Sequence, residues 1–127
     1  CTGTLVNNAK QDFTPYILTA MHCALNDFTG TIIPQTDVDQ WIFYFNYQSS
    51  GCQSPLSEGA LANQFLIGAQ TVSFSDDEGG ETGSDFLLLR MKQNVPSAYN
   101  PVYAGWNLTP NGAQQGVTLH HPSGDLK

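Results

Sequence analysis

The apolar residues of this chain come in short bursts, and that brevity restricts its fold more than any other feature. The longest clearly apolar run is Trp41 to Phe45. It is aromatic and β-branched, which suits a pleated strand. It is far too short to cross a bilayer, where a helix needs about 20 apolar residues. The same pattern recurs. Thr2 to Val6 alternates small, polar and β-branched residues, Pro15 opens Tyr16 to Thr19, and Gln70 to Phe74 alternates with a period of two. Trp41 to Tyr47 is the strongest strand signal, Phe86 to Met91 reads as a continuous apolar strand, and Tyr103 to Trp106 and Gly116 to His120 are two shorter ones. Ala20 to Leu25 reads as one helical turn. Turn-forming residues separate these stretches, among them 12 glycines and 7 prolines. Short strands between turns predict an all-β barrel or sandwich.

A length of 127 residues fits one small domain or part of a larger one. Eleven acidic residues against four basic ones give a net charge of −7. That disfavours nucleic acid and anionic membranes as partners, because both need a basic surface. Cys1 already begins patterned sequence, so no signal peptide is visible and the chain reads as a mature or excised segment. Charged residues are only 12% of the chain, which with its glycines and prolines suits a secreted, loop-rich protein in an oxidising compartment, extracellular or periplasmic. Three cysteines, Cys1, Cys23 and Cys52, leave at least one unpaired within the chain. A hairpin of the first two strands brings Cys1 and Cys23 to the same end. A disulfide closing a loop of that size is worth roughly 3 kcal/mol in the chain-entropy model.

Two positions invite chemistry. His22 follows a short apolar strand and stands directly before Cys23. A histidine on a rigid strand end, with its backbone fixed by a neighbouring disulfide, has the mounting a general base needs. The plainer reading is a core histidine beside a structural cysteine. Asp85 stands at the mouth of the apolar run Phe86-Leu87-Leu88-Leu89. Charge beside such a run is costly unless something satisfies it. Orienting a histidine is one solution, and closing an acidic loop is the other. The loop itself, Asp76 to Asp85, is rich in acid and glycine and reads as solvated; its carboxylates do not follow an EF-hand spacing. A zinc site from His22, His120 and His121 is disfavoured, since adjacent histidines on a strand face opposite ways. A strand end meeting a turn at Pro122-Ser123-Gly124 accounts for that pair better.

Thr19-Ala20-Met21-His22-Cys23 resembles the histidine motif of trypsin-like serine endopeptidases. Asp85, in Asp-Phe-Leu-Leu-Leu, follows 63 residues later, in the order that family uses. Cys1 to Asn8, Tyr44 to Gln48, Ala104-Gly105-Trp106 and His120-His121-Pro122 look like segments of secreted bacterial lysyl endopeptidases. The resemblance implies an antiparallel β-barrel of the trypsin-like type. Residues 1–101 would form most of the first barrel with its connecting segment, and residues 102–127 the opening strands of the second. It implies peptide-bond hydrolysis through a His-Asp-Ser triad, with His22 as general base and Asp85 as its partner, and no cofactor or metal. It also implies a Cys1–Cys23 disulfide, with Cys52 paired to a cysteine upstream.

The nucleophile motif of that family, Gly-x-Ser-Gly, is absent, and Ser97 and Ser123 are the only serines after Asp85. The family's oxyanion hole and specificity pocket lie mainly in the second barrel, so no lysine preference carries over. The expectation is therefore the N-terminal half of a secreted serine endopeptidase, inactive alone, whose partners are a polypeptide substrate and the remaining half of the protease. The competing expectation is a non-catalytic, protease-like extracellular binding domain; a Gly-x-Ser-Gly downstream separates the two. By the resemblance the first barrel has six strands, of which this chain supplies five. The open edges left behind tend to recruit a strand, by edge pairing or domain swapping between copies.

Overall fold

The computed structural model describes residues 1–49, 63–77, 83–109, 111–112, 114–121 and 124. Cys52 and its loop, positions 78–82 of the acidic loop, Pro122, Ser123 and the end at Lys127 lie outside the described residues. Six strands run in chain order: β1 (Thr4–Val6), β2 (Tyr16–Ala20), β3 (Ile42–Tyr44), β4 (Phe65–Ile67), β5 (Ala69–Phe74) and β6 (Phe86–Met91). One helical turn, α1 (Gln35–Val38), and 3₁₀ turns at Met21–Ala24 and Ser97–Tyr99 complete the described elements. All strand pairs are antiparallel. One sheet has the order β1-β2-β6-β5, and β3 and β4 form a second.

β6 is central because its sequence can bury one face completely. Leu87 and Leu89 are wholly buried and Met91 nearly so, while Arg90 between them is exposed. Burying each of these side chains stabilises the fold by about 1.5–3 kcal/mol. Leu5, Ile17, Met21, Ala24, Val38, Leu66 and Ala69 complete the core. Trp41, Phe43 and Phe45 pack onto it from β3 and its flanks, and Ile42 and Tyr44 between them stay half exposed. The strand expected over Trp41 to Tyr47 is shorter because Asn46 turns into the left-handed region, with φ of 52°. Its side-chain amide donates to Gln64 Oε1 and to the Tyr99 carbonyl instead.

Gly68 joins the two sheets. β4 and β5 are consecutive, but β4 pairs with β3 and β5 with β6, so the chain changes sheets at this one residue. Its φ is 82°, and a Cβ there would lie 2.6 Å from the Asp39 carbonyl oxygen. Its N–H donates to the Trp41 carbonyl and its carbonyl accepts from the Lys92 N–H, so each sheet holds one side of the corner. The outer edge of β5 is covered by α1: the Gln35 side-chain amide donates to the Ala69 carbonyl, and its oxygen accepts from the Thr71 N–H.

The architecture is mostly β, but among the described residues the two sheets do not close into a barrel. Tyr103 to Trp106 does not form a regular strand. Ala104 alone bridges to Val6 at the outer edge of β1, and residues 114–121 form no strand. A strand needs a neighbour to ladder with, and neither segment has more than a single bridge here. An open groove of about 1130 Å³ runs between the outer edges of β1 and β3, with Thr2, Thr4, Phe43 and Phe45 among its walls.

Candidate active site

The sheet register brings His22 and Asp85 to one place. β2 pairs with β6 through Ala20↔Phe86 as its last pair. The ladder continues one step further, where the Met21 N–H donates to the Asp85 carbonyl at 2.9 Å. The chain then tightens into the 3₁₀ turn Met21–Ala24. Residues three apart in such a turn lie on the same side. Here those residues are Met21 and Ala24, both buried, so the turn is pinned to the core and His22 is left on its open side. Cys23 is bonded to Cys1, which fixes the turn to the segment leading into β1.

Asp85 grips His22 twice. One carboxylate oxygen, Oδ1, accepts the His22 backbone N–H at 2.9 Å. The other, Oδ2, lies 2.6 Å from His22 Nδ1. Partial burial pushes the Asp85 carboxyl up, but the His22 backbone N–H and ring outweigh it and hold the group below the usual value. The nearby Asp77 charge also acts upward. An ionised carboxylate can only accept, so Nδ1 must carry the proton of the shared hydrogen bond. That leaves Nε2 as the basic nitrogen, on a side chain that is 58% exposed.

Asp85 is itself in an unusual conformation, with φ of 47°. Few non-glycine residues adopt the left-handed region, although aspartate tolerates it better than most. An acidic, glycine-rich sequence over positions 76–85 implies a solvated loop and gives no sign of what holds this turn. Asp77 Oδ2 accepts the backbone N–H groups of Ser84 at 2.6 Å and of Asp85 at 2.9 Å. Asp77 Oδ1 accepts the Ser75 hydroxyl at 2.5 Å. The Ser75 hydroxyl foremost, then the Asp85 N–H, holds the Asp77 carboxyl below the usual range.

The other singled-out groups add nothing to this pair. The sulfurs of Cys1 and Cys23 are close to His22, but they are bonded to each other and neither is a thiolate that can bind a metal. His120 and His121 do not join this cluster; the His121 ring lies tilted against Tyr47 and its backbone N–H donates to Thr2 Oγ1. Ser97 starts the 3₁₀ turn Ser97–Tyr99.

Residues 1–127 match the family described as lysyl endopeptidase, C-terminal domain. The chain belongs to that family. Among its relatives, the lysyl endopeptidase of Pseudomonas aeruginosa is 30% identical over 129 aligned positions, which cover 100% of this chain and 24% of the relative. The chain thus spans about a quarter of the length of that curated relative. The match is to the C-terminal domain of lysyl endopeptidases, which corrects the expected placement in an N-terminal half. A resemblance confined to motifs inside the chain gives order along the chain but not position within a longer protein. Membership in the lysyl endopeptidase family associates the chain with peptidase-type hydrolases.

Proposed function

We propose that this chain carries the histidine and aspartate of a serine endopeptidase of the trypsin-like type, acting on polypeptides outside the cytoplasm. His22 is the general base and Asp85 its orienting partner. The observation that carries the reading is the double grip of one carboxylate on the His22 backbone N–H and on Nδ1. A carboxylate that merely closed a loop has no reason to engage both. The Cys1–Cys23 bond supports an oxidising compartment. The two antiparallel sheets joined at Gly68, with an open groove beside β1 and β3, support a barrel that is completed by further strands.

The chemistry follows from the proton positions. With Nδ1–H held by Asp85, His22 Nε2 accepts the proton of a serine hydroxyl as that oxygen attacks the peptide carbonyl. The imidazolium that forms is stabilised by the Asp85 carboxylate. His22 then delivers the proton to the departing amine, leaving an acyl-enzyme for water to hydrolyse. The serine and the oxyanion donors come from outside this chain, whose sequence has no Gly-x-Ser-Gly. The steps assigned to His22 and Asp85 use no cofactor.

The test is peptide hydrolysis by the full-length protein that contains this chain. Wild type should cleave a peptide substrate and be labelled by a serine-directed fluorophosphonate. His22→Ala should lower kcat by about 10⁴-fold or more and abolish labelling. A His22→Ala protein that retains activity would overturn the assignment.

A further inference from the structure

We propose that Asp77 is a positioning residue for the His22–Asp85 pair: its carboxylate clamps the left-handed turn from which Asp85 reaches the histidine. This rests on the catalytic reading of His22 for its kinetic consequence, but not for its structural one. Each hydrogen bond of Asp77 has a place in the clamp. Ser75 is the anchor. Its N–H donates to the Phe86 carbonyl, extending the β5–β6 ladder one residue past the strand end. Its hydroxyl then fixes Asp77 Oδ1. From that anchor Oδ2 reaches across to the amides of Ser84 and Asp85.

The consequence falls on one peptide unit at a time. The Asp85 N–H is held by Asp77, and the Asp85 carbonyl is held by the Met21 N–H. With both ends of the residue fixed at positive φ, the side chain has one direction left, and it delivers both oxygens to His22. Without the clamp, nothing in these contacts holds φ positive on the N-terminal side of Asp85, and a relaxed backbone swings the carboxylate away from Nδ1. Gly83 shows how closely the clamp fits. A Cβ at that position would run into the Asp77 carboxylate, so the clamp also requires glycine there.

The geometry separates the clamp from the charge. In Asp77→Asn the amide oxygen can face the two backbone N–H groups while its NH₂ donates to the Ser75 hydroxyl, which rotates to accept. The clamp survives and the charge does not. In Asp77→Ala both are gone. Gly83→Ala keeps both acids but displaces the Asp77 carboxylate.

Kinetics and proton NMR on the full-length protein test this together. Asp77→Ala and Gly83→Ala should lower kcat by about tenfold to a hundredfold, the scale of a misplacement near 1 Å, with KM unchanged. Both should also lose the low-field Nδ1–H resonance of His22. Asp77→Asn should keep that resonance and recover kcat to within about threefold of wild type. The proposal is overturned if Asp77→Ala or Gly83→Ala keeps both the resonance and kcat, or if Asp77→Asn loses as much as alanine, which would assign the effect to charge. Should Asp77→Ala fail to accumulate as folded protein, Gly83→Ala and Asp77→Asn decide by the same readouts. The resonance reports the clamp even if His22→Ala proves that His22 is not the base, so the two readings fail separately.

Discussion

Replacing Asp85 by asparagine tests the site with almost no change of shape. Asparagine tolerates the left-handed region as well as aspartate does, so φ of 47° at this position is no obstacle. What changes is the hydrogen-bond inventory. Aspartate offers two acceptor oxygens, and both are in use, one on the His22 backbone N–H at 2.9 Å and one facing Nδ1 at 2.6 Å. Asparagine offers one oxygen and one NH₂. The backbone N–H is a donor in every protonation state, so the amide oxygen must face it. The NH₂ then faces Nδ1, which has to become an acceptor, and the imidazole proton moves to Nε2. The nitrogen that should take the serine proton is already protonated. The opposite rotamer sets NH₂ against the backbone N–H and forfeits a hydrogen bond, at about 1–3 kcal/mol for the group left unsatisfied. The expected loss is about 10⁴-fold in kcat, the effect of the wrong tautomer in such a triad. At 1.36 kcal/mol per tenfold that is about 5–6 kcal/mol of transition-state stabilisation. The assay is kcat on a peptide substrate with the full-length protein, paired with ¹⁵N shifts of the His22 ring. Activity within about tenfold of wild type, or a proton still on Nδ1, would refute the reasoning.

Other expectations address the scaffold. Gly68→Ala should destabilise the fold by about 2–4 kcal/mol, combining a left-handed alanine with a Cβ driven at the Asp39 carbonyl; a shift under about 1 kcal/mol in urea unfolding contradicts the corner described above. Breaking the Cys1–Cys23 bond, whose partners are 22 residues apart, should cost about 3 kcal/mol in the chain-entropy model, read as a lower urea midpoint for Cys1→Ser with Cys23→Ser. Acid should weaken the fold. The Thr14 hydroxyl foremost holds Asp12 at about 2, and Asp39, Asp77 and Asp85 are also held below the ordinary 3.8. Folded carboxylates of this kind bind fewer protons than unfolded ones, so their stabilisation is present above 3.8 and is lost as pH falls toward about 2. A urea midpoint that does not move between those two values contradicts that sign.

Much of this was legible from residues whose role is local. The alternation that buries Leu87, Leu89 and Met91 sits inside an apolar run that announces a strand, and β2 follows Pro15 as its composition suggests. His22 stood out because its neighbours, Thr19-Ala20 and Cys23, form a recognisable pattern. What escaped notice depends on distant partners. β4 is only Phe65-Leu66-Ile67, too short for a period to show, and it becomes a strand because Gly68 lets one extended segment serve two sheets. α1 is four residues long, and its Gln35 matters through β5 rather than through helix propensity. The Asp77 clamp spans eight positions and a positive-φ turn, and nothing in an acidic, glycine-rich stretch separates such a carboxylate from its solvated neighbours.

The same register that packs the core also sets the site, and this makes the pair hard to lose by small shifts. Side chains on a strand alternate faces, so slipping β2 by one residue against β6 would exchange its two faces. Ile17, which is 5% exposed, would leave the core and Leu18, which is 43% exposed, would enter it. The same slip would move His22 by about 3.3 Å relative to Asp85, the rise of one strand residue. A ring nitrogen 2.6 Å from its carboxylate has no hydrogen bond left after such a displacement. The burial of Ile17 against Leu89 therefore does two things at once. It contributes to the core, and it rules out the neighbouring register in which His22 and Asp85 are strangers. Substitutions at Ile17 that keep its volume should leave the pair intact, whereas polar ones should loosen the site and the fold together.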